Sequence, residues 1–295
     1  MNLLVGALDR LVHVGIVGMK RRRSPPVYYE EMHFDFQGKT AVVTGGANGI
    51  GLAVAQLLAK SNADVWVMDV ASQQPLERSA EFGAHGVSAD VTSRESLERA
   101  FDEVGDDLDI VVSCAGVVSI AGVTETKQQE WDRVLAVNLT GVFHTVQIAA
   151  NKMMKRGKGC IVLTASTNSW DGETDLTAYN ASKAGLLGIL HTAANELGPH
   201  QVRVNAVCPG LIRTRLTEKM FEDPRVVREY FRGIPLGRSG ATPEVASAIA
   251  FLASDAASYI TGTTLTVDGG LMAAKFGTWT EDRADFFGDR WWLKR

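Results

Sequence analysis

The sequence predicts an α/β protein: one domain built on a doubly wound, mostly parallel sheet with helices on both faces. Three observations support this class. Short apolar segments alternate with helical patterns along most of the chain. Those segments are apolar almost throughout, as strands buried on both faces are. The composition, with 45% hydrophobic and 22% charged residues in a chain of 295, is that of a globular protein able to bury a core.

The strands are predicted from runs rich in valine and isoleucine that end at small or polar residues. The first covers residues 40–44, with the sequence TAVVT, and a glycine-rich turn follows it. The next five cover residues 64–70, 87–89, 110–113, 160–164 and 202–207. The last covers residues 265–267 and ends at an Asp-Gly-Gly turn. Right-handed crossovers between these strands would place helices on both faces of the sheet.

The helices are predicted from apolar residues that recur at three- and four-residue spacing. The first runs from the glycine turn to residue 60, and the second covers residues 95–104. Two long helices cover residues 128–138 and 141–155, and an alanine-rich one covers residues 179–197. The helix over residues 243–253 begins with proline, which helices favour in their first turn. We expect residues 214–237 to be irregular.

Both ends of the chain differ from this domain, which we expect to span residues 34–272. Residues 1–33 hold an interrupted apolar stretch followed by four basic residues, an order opposite to that of a secretory signal. Three hypotheses stay open for them: an upstream start with Met32 as initiator, an amphipathic helical arm, and, ranked lowest, a weak membrane-surface anchor. The tail, residues 273–295, should pack on its own subunit or on a neighbour. Its aromatic residues are Phe276, Trp279, Phe286, Phe287, Trp291 and Trp292.

The net charge and the placement of the cysteines argue against several classes of function, among them nucleic-acid binding and metal binding. The formal net charge is -4, which gives no global attraction to nucleic acid or to an anionic membrane. Cys114, Cys160 and Cys208 lack the spacing of metal ligands, and the six histidines are scattered. We therefore expect no metal site, buried free thiols and a cytoplasmic protein without stable membrane insertion.

A glycine-rich segment connects the first predicted strand to the first predicted helix. It reads TGGANGIG over residues 44–51. Glycines permit a tight turn close to a phosphate, and the helix N-terminus supplies free N–H groups and the positive end of its dipole. This strand–turn–helix context predicts a dinucleotide pyrophosphate site on a Rossmann-type sheet. The candidate residues are Gly45, Asn48, Gly49, Ile50 and Gly51.

Asp69 lies at the end of the second predicted strand. A carboxylate there can accept hydrogen bonds from ribose hydroxyls and would repel a 2′-phosphate. Asn48 and Val70 are uncharged, so neither offers a cation to a 2′-phosphate. The sequence therefore predicts NAD(H) as cofactor, ahead of NADP(H).

These features together resemble the classical short-chain dehydrogenase/reductase family, over about residues 34–272. The resemblance rests on TGxxxGIG, the strand-end aspartate, Asp90-Val91 and Ala115-Gly116. It implies that Asp90 and Val91 contact the adenine end of the nucleotide and that Ala115-Gly116 lines the cofactor site with its backbone. The family's Asn-Asn before Ala-Gly is Ser113-Cys114 here. Cys114 is retained as a candidate cofactor contact despite this departure.

Tyr179 and Lys183 stand four residues apart and so share one helix face. A free tyrosine has a pKa of about 10, too high for a base at neutral pH. A nearby ammonium is expected to lower that pKa, which would let Tyr179 exchange a proton with an alcohol or a carbonyl. Lys183 is also expected to hold the cofactor ribose.

The resemblance assigns the remaining site residues. Ser166 would hydrogen-bond the substrate oxygen, which stabilises charge that develops there. Asn138 would hold a water that connects the lysine to solvent; as an alternative, it caps or kinks its helix. The turn after the sixth strand would pack on the nicotinamide, through Pro209, Gly210, Ile212 and Thr214.

The sequence thus predicts an NAD(H)-dependent oxidoreductase that interconverts a secondary alcohol and a ketone. A reductase of 3-oxoacyl thioesters on acyl carrier protein is the alternative, and a non-catalytic dinucleotide sensor ranks below both. By resemblance, residues 167–177 and 215–238 line the substrate pocket, and aromatics in the second segment favour an apolar or cyclic substrate. The resemblance also implies a homo-oligomer, a tetramer or a dimer.

Overall fold

The computed structural model describes residues 34–274 and 277–294. The hypotheses on residues 1–33 and the expectation for Phe276 lie outside these residues. Seven strands form one parallel sheet in the order β3-β2-β1-β4-β5-β6-β7. The predicted doubly wound fold is confirmed.

The strands of this sheet match the apolar segments of the sequence to within two residues at each end. They are β1 (Thr40–Thr44), β2 (Asp64–Asp69), β3 (His85–Ser88), β4 (Ile110–Ser113), β5 (Gly159–Thr164), β6 (Val202–Pro209) and β7 (Thr264–Val267).

Helices alternate with these strands along the chain. They are α1 (Gly49–Lys60), α2 (Pro75–Ala80), α3 (Arg94–Val104), α4 (Gln128–Leu135), α5 (Gly141–Arg156), α6 (Thr177–Leu197), α7 (Pro224–Arg232) and α8 (Thr242–Ala253). A π-helical turn, Ala136–Thr140, joins α4 to α5. Among the described residues, the helix Gln128–Arg156 is long and apolar enough to cross a bilayer, and half of its apolar window is buried inside the protein.

Neighbouring residues of each central strand enter two different cores. Val42 packs with α3, α5 and α6, whereas Val43 packs with α1 and α8. Val111 and Val112 divide in the same way on β4. Because side chains alternate across a strand, only a strand that is apolar at successive positions can fill both layers.

Several elements differ from the prediction. The helix α2 lies between β2 and β3, where no helix was predicted. Residues 214–237 are not irregular throughout, because α7 lies within them; Asp223 caps it by accepting from the Arg225 backbone N–H at 2.9 Å, and Pro224 starts its first turn. The tail forms an antiparallel hairpin of β8 (Ala284–Phe287) and β9 (Arg290–Leu293). This hairpin packs on α7 of the same chain, in a third apolar cluster.

Candidate active site

The site lies at the carboxyl edge of the sheet, where β1, β2, β4, β5 and β6 end. Ligands of open α/β sheets bind at this edge because strand order reverses there and leaves a crevice. Here β1 pairs with both β2 and β4, so the reversal falls at the glycine turn that follows β1.

The glycine turn is shaped by close backbone contacts. Gly45 has a φ of +66°, and a Cβ there would lie 2.6 Å from the Ala115 Cα atom. A Cβ on Gly51 would lie 2.2 Å from the Gly45 carbonyl oxygen. The Asn48 side chain donates to Gln73 Oε1 at 2.8 Å, so within the described residues it leaves the first N–H groups of α1 available to an anion. The turn therefore fits a pyrophosphate.

Asp69 ends β2 beside this turn. Its Oδ2 accepts from the Ala47 N–H at 3.1 Å and its Oδ1 from the Val70 N–H at 2.9 Å. Burial raises the pKa of Asp69, although these N–H groups and the charge of Arg215 act in the opposite direction. The carboxylate is thus fixed at the position from which it can accept from ribose hydroxyls.

Arg215 is a neighbour of this position that sequence reasoning missed. Its Nη2 donates to Gln73 Oε1 at 2.9 Å, and its charge acts on Asp69. Arg215 and Gln73 are separated by 142 positions in the chain. No local pattern in the sequence links the two residues. A cation therefore stands beside the ribose position, although Asn48 and Val70 are uncharged.

The candidates for the adenine end lie after β3. Asp90 is exposed, and its Oδ1 accepts from the Thr92 N–H at 2.9 Å and the Thr92 hydroxyl at 2.8 Å. Val91 is buried against the start of α5, where a Cβ on Gly141 would lie 2.8 Å from its Cγ2 atom. Asp90 is thus an exposed hydrogen-bond acceptor, whereas Val91 makes a packing contact with the start of α5.

Cys114 links β4 to β5. Its Sγ lies 3.1 Å from Thr164 Oγ1, and burial raises the pKa of the thiol to about 11. The thiol therefore stays protonated at neutral pH. The next residue, Ala115, forms the backbone wall against which Gly45 packs.

Tyr179 and Lys183 lie on one face of α6. The Lys183 Nζ atom is 5.7 Å from the centre of the Tyr179 ring and donates to the Thr164 carbonyl at 2.8 Å. Lys183 is 5% exposed, and burial lowers its pKa to about 8. Its ammonium can therefore lose a proton close to neutral pH.

The Tyr179 pKa differs from expectation. Desolvation by burial raises it, the charge of Glu173 raises it further, and a hydrogen bond with Ser166 lowers it. The sequence argument considered only the ammonium. It could not show that the same burial disfavours the charged forms of both groups.

Ser166 follows β5 and is buried. Its Oγ accepts from the Asn168 backbone N–H at 3.2 Å and donates to Asn168 Oδ1 at 3.2 Å, in addition to its hydrogen bond with Tyr179. Asn168 Nδ2 donates in turn to Asn180 Oδ1 at 2.8 Å. The hydroxyl beside Tyr179 is thus held by a polar network, and Asn168 and Asn180 are members of it that sequence reasoning missed.

Asn138 is fully buried in the π-helical turn. Its Oδ1 accepts from the Val117 N–H at 2.8 Å, and its Nδ2 donates to the Val117 carbonyl at 2.9 Å and to Ser182 Oγ at 3.1 Å. The side chain clamps the loop after β4. A Cβ on Gly116 would lie 3.6 Å from Asn138 Oδ1 and 3.9 Å from Lys183 Nζ, so Asn138 and Lys183 both border Gly116.

The turn after β6 closes the other side of the crevice. The Gly210 N–H donates to the Val267 carbonyl at 3.1 Å, and Ile212 is buried. Thr214 faces the glycine turn, since a Cβ on Gly49 would lie 3.8 Å from its Cγ2 atom. Pro209 ends β6 itself. The structure thus brings the predicted cofactor residues of the glycine turn and of this turn to opposite walls of one crevice.

Tyr230, on α7, completes the surroundings of Tyr179. Burial raises its pKa, and the charges of Glu173 and Tyr179 raise it further. These three side chains are therefore close enough to interact electrostatically.

A separate cavity of about 580 Å³ lies at the opposite, amino-terminal edge of β4, β5 and β6, lined in part by Asp109, Cys160 and Arg203.

Comparison with known proteins identifies the family. A family model described as enoyl-(acyl carrier protein) reductase matches residues 45–272. This chain belongs to the short-chain dehydrogenase/reductase family. It is accordingly an oxidoreductase that acts on CH–OH donors and binds a nicotinamide nucleotide.

Individual members of this family cover several substrates. The chain is 37% identical to 3-oxoacyl-[acyl-carrier-protein] reductase FabG of Aquifex aeolicus over 250 residues, which are 82% of this chain and 100% of that one. It is 38% identical to D-threitol dehydrogenase of Mycolicibacterium smegmatis, over 80% of this chain and 95% of that one. A solved gluconate 5-dehydrogenase from Burkholderia cenocepacia, in complex with NADP and tartrate, superposes with a TM-score of 0.79 at 29% identity, over 82% and 98% of the two chains.

Proposed function

We propose that this short-chain dehydrogenase/reductase interconverts a secondary alcohol and a ketone with NAD(H), and that Tyr179 is the general acid/base. The observation that carries the proposal is the convergence of Tyr179, Ser166 and Lys183 at the end of β5, beside the glycine turn. The fixed Asp69 carboxylate supports the choice of NAD(H).

The residues divide the reaction between them. The bound nucleotide would supply or accept the hydride, and this chain supplies orientation and the proton. Ser166 holds the substrate oxygen next to the Tyr179 hydroxyl, which gives its proton to a carbonyl oxygen or takes one from an alcohol. Lys183, with a pKa of about 8, can return that proton at neutral pH. Asn138 holds the loop that borders Lys183.

Two observations bear on the choice between NAD(H) and NADP(H). Asp69 would repel a 2′-phosphate, whereas Arg215, which stands beside Asp69, could attract one. We give Asp69 the greater weight because two backbone N–H groups fix its carboxylate, while the described residues give the Arg215 guanidinium one side-chain acceptor, Gln73.

Fluorescence titration of NADH and NADPH tests the choice. Wild type should bind NADH more tightly, and Asp69→Ala should lose most of this preference. Arg215→Ala is the matched variant at the neighbouring cation and should weaken NADPH binding more than NADH binding. Preference of wild type for NADPH would overturn the assignment to Asp69.

Reduction of 3-oxoacyl thioesters is the second candidate function. It is favoured by the similarity to the Aquifex reductase over the whole of that protein. Comparing rates with a 3-oxoacyl thioester and with cyclic and aromatic secondary alcohols separates the two. A kcat/KM at least tenfold higher for the thioester would replace the alcohol proposal.

The organisation of the protein is part of the proposal. We retain residues 34–272 as the catalytic domain, with an extension at each end. Ile120, Val123 and Phe143 expose apolar side chains around α4 and α5, which supports assembly into a dimer or tetramer. Light scattering of the purified protein measures the assembly.

The free thiols of Cys114, Cys160 and Cys208 support a cytoplasmic location.

A further inference from the structure

The C-terminal segment 277–294, which we name the clasp, lies beyond the part of the chain that the family model matches. That match ends at residue 272. The clasp contains the hairpin of β8 and β9, and it packs on the pocket-lining segment 215–238, which we name the lid. The clasp therefore lies outside the matched domain and packs against the segment that the family resemblance assigns to the substrate pocket.

Backbone groups of the lid are held by the clasp at several points. Trp291 Nε1 donates to the Arg228 carbonyl at 3.2 Å, and the Trp291 N–H donates to the Gly237 carbonyl at 3.1 Å. Trp279 Nε1 donates to the Ile234 carbonyl at 2.8 Å. These carbonyls span ten residues of the lid, so the clasp holds α7 and the turn that follows it as one unit.

Charged groups reinforce the contact on one side of α7. Arg228 and Arg232 are four residues apart and both pair with Glu281, at 2.6 Å and 3.1 Å. Their guanidinium carbons also lie 5.3 Å and 5.6 Å from the centre of the Trp291 ring. Arginine over an indole face is a favourable arrangement. Trp291 and Glu281 thus hold the same two arginines from two directions.

The apolar side of α7 is buried with the clasp. Val227 and Phe231 share a helix face and form a cluster with Trp291, which is 2% exposed, and with Phe286. This cluster is separate from the two cores that flank the sheet. The clasp residues Ala284, Phe286 and Trp291 therefore cover the apolar side of α7 together with residues of the catalytic domain, among them Leu211, Ile234 and Leu271.

Tyr230 is on the same short helix, on the side turned away from Arg228 and Arg232. It is the lid residue whose hydroxyl interacts electrostatically with Tyr179 and Glu173. A displacement of α7 moves Tyr230 relative to Tyr179, because the helix is a single rigid element. The position of Tyr230 relative to Tyr179 is therefore coupled to the packing of Trp291.

We propose that Trp291 is a positioning residue: the clasp fixes the lid through it and so places Tyr230 for substrate recognition. The proposal deepens the proposed function, since it assigns substrate recognition at the same site to a segment outside the family domain. It predicts that damage to the clasp weakens substrate binding while the nucleotide site stays intact.

The test uses the full chain with Trp291→Ala, with Glu281→Gln as a milder variant. Phe287→Ala is the matched control, because Phe287 belongs to the same hairpin but is 74% exposed. Trp291→Ala should raise the KM for the alcohol or ketone at least tenfold with less than a threefold change in kcat. The Kd for NADH should stay within twofold of wild type. Tyr230→Phe should raise the KM by itself and add little to Trp291→Ala.

Hydrogen exchange of the backbone amides of α7 provides a readout that needs no turnover. Exchange there should become at least tenfold faster in Trp291→Ala, intermediate in Glu281→Gln and unchanged in Phe287→Ala. Unchanged α7 exchange and an unchanged KM in Trp291→Ala would overturn the proposal. If wild type turns over no secondary alcohol, the proposed function fails, while the exchange experiment still decides whether the clasp holds the lid. Should Trp291→Ala fail to fold, Glu281→Gln decides both readouts.

Discussion

Lys183→Met should separate the stability of this protein from its activity. Lys183 is 5% exposed, and burial lowers its pKa from 10.5 to about 8. At 1.36 kcal/mol per pKa unit, the buried ammonium costs the folded state about 3 kcal/mol at neutral pH. Methionine is similar in length and carries no charge, so the variant loses this cost. It also leaves the Thr164 carbonyl without the donor that Lys183 supplies, a loss of roughly 1–3 kcal/mol.

The expected balance at pH 7 is a variant as stable as wild type or up to about 2 kcal/mol more stable. The pH dependence has a definite sign. Below pH 8 Lys183 is protonated in both states, and the folded state bears the full cost. Between pH 8 and 10.5 only the unfolded state keeps the proton, so the free energy of unfolding of wild type rises with pH. The advantage of the variant should shrink over that window.

Urea unfolding at fixed protein concentration measures both effects, at pH 7, 8 and 9.5. Lys155→Met, at an exposed position on α5, controls for the substitution itself. Turnover of Lys183→Met should be strongly reduced at every pH. If Lys183→Met is less stable than wild type by more than about 2 kcal/mol at pH 7, the lysine is not a costly buried charge and the argument from burial fails.

Two further predictions concern the site. Tyr179→Phe should lower kcat by about 10²–10⁴-fold with an unchanged Kd for NADH, because only the exchangeable proton is removed; kinetics and fluorescence titration measure this, and a kcat within tenfold of wild type would exclude Tyr179 as acid/base. Gly51→Ala should weaken NADH binding at least tenfold, because the new Cβ would lie 2.2 Å from the Gly45 carbonyl oxygen. Gly188→Ala, where a Cβ meets nothing within 4 Å, is its control, and equal NADH affinity in the two variants would contradict the close fit of the turn.

The central strands were predictable because a strand buried on both faces is apolar at successive positions. The lid helix was harder, since α7 shows only Val227 and Phe231 as buried residues among charged ones. Asp223-Pro224 is nonetheless a helix start signal. The hairpin has a sequence signal too: Gly288-Asp289 stands between two aromatic runs. A two-residue connection of this kind is typical of hairpin turns. The composition of these two segments, rich in aromatic and charged residues, does not indicate either element, whereas the positions of those residues do.

The site was predictable where spacing within one element decides it. Tyr179 and Lys183 share a face of α6 because any two residues four apart on a helix do. The sequence could not predict that Arg215 lies beside Asp69 or that Trp291 of the clasp packs on the lid. Only the packing of the folded chain brings these distant segments together. The degree of burial is a property of the same kind, which is why the direction of the Tyr179 pKa shift was wrong.

That direction has a chemical consequence for the proposed reaction. With its pKa raised, Tyr179 keeps its proton at neutral pH and is ready to donate it to a carbonyl oxygen. Oxidation of an alcohol needs the phenolate, and Lys183 then has to be charged to stabilise it. Since the pKa of Lys183 is about 8, its ammonium is still the major form at pH 7 and is lost as the pH rises. Protonated Tyr179 is therefore the form that serves ketone reduction, and alcohol oxidation needs the phenolate form, which the charged form of Lys183 stabilises.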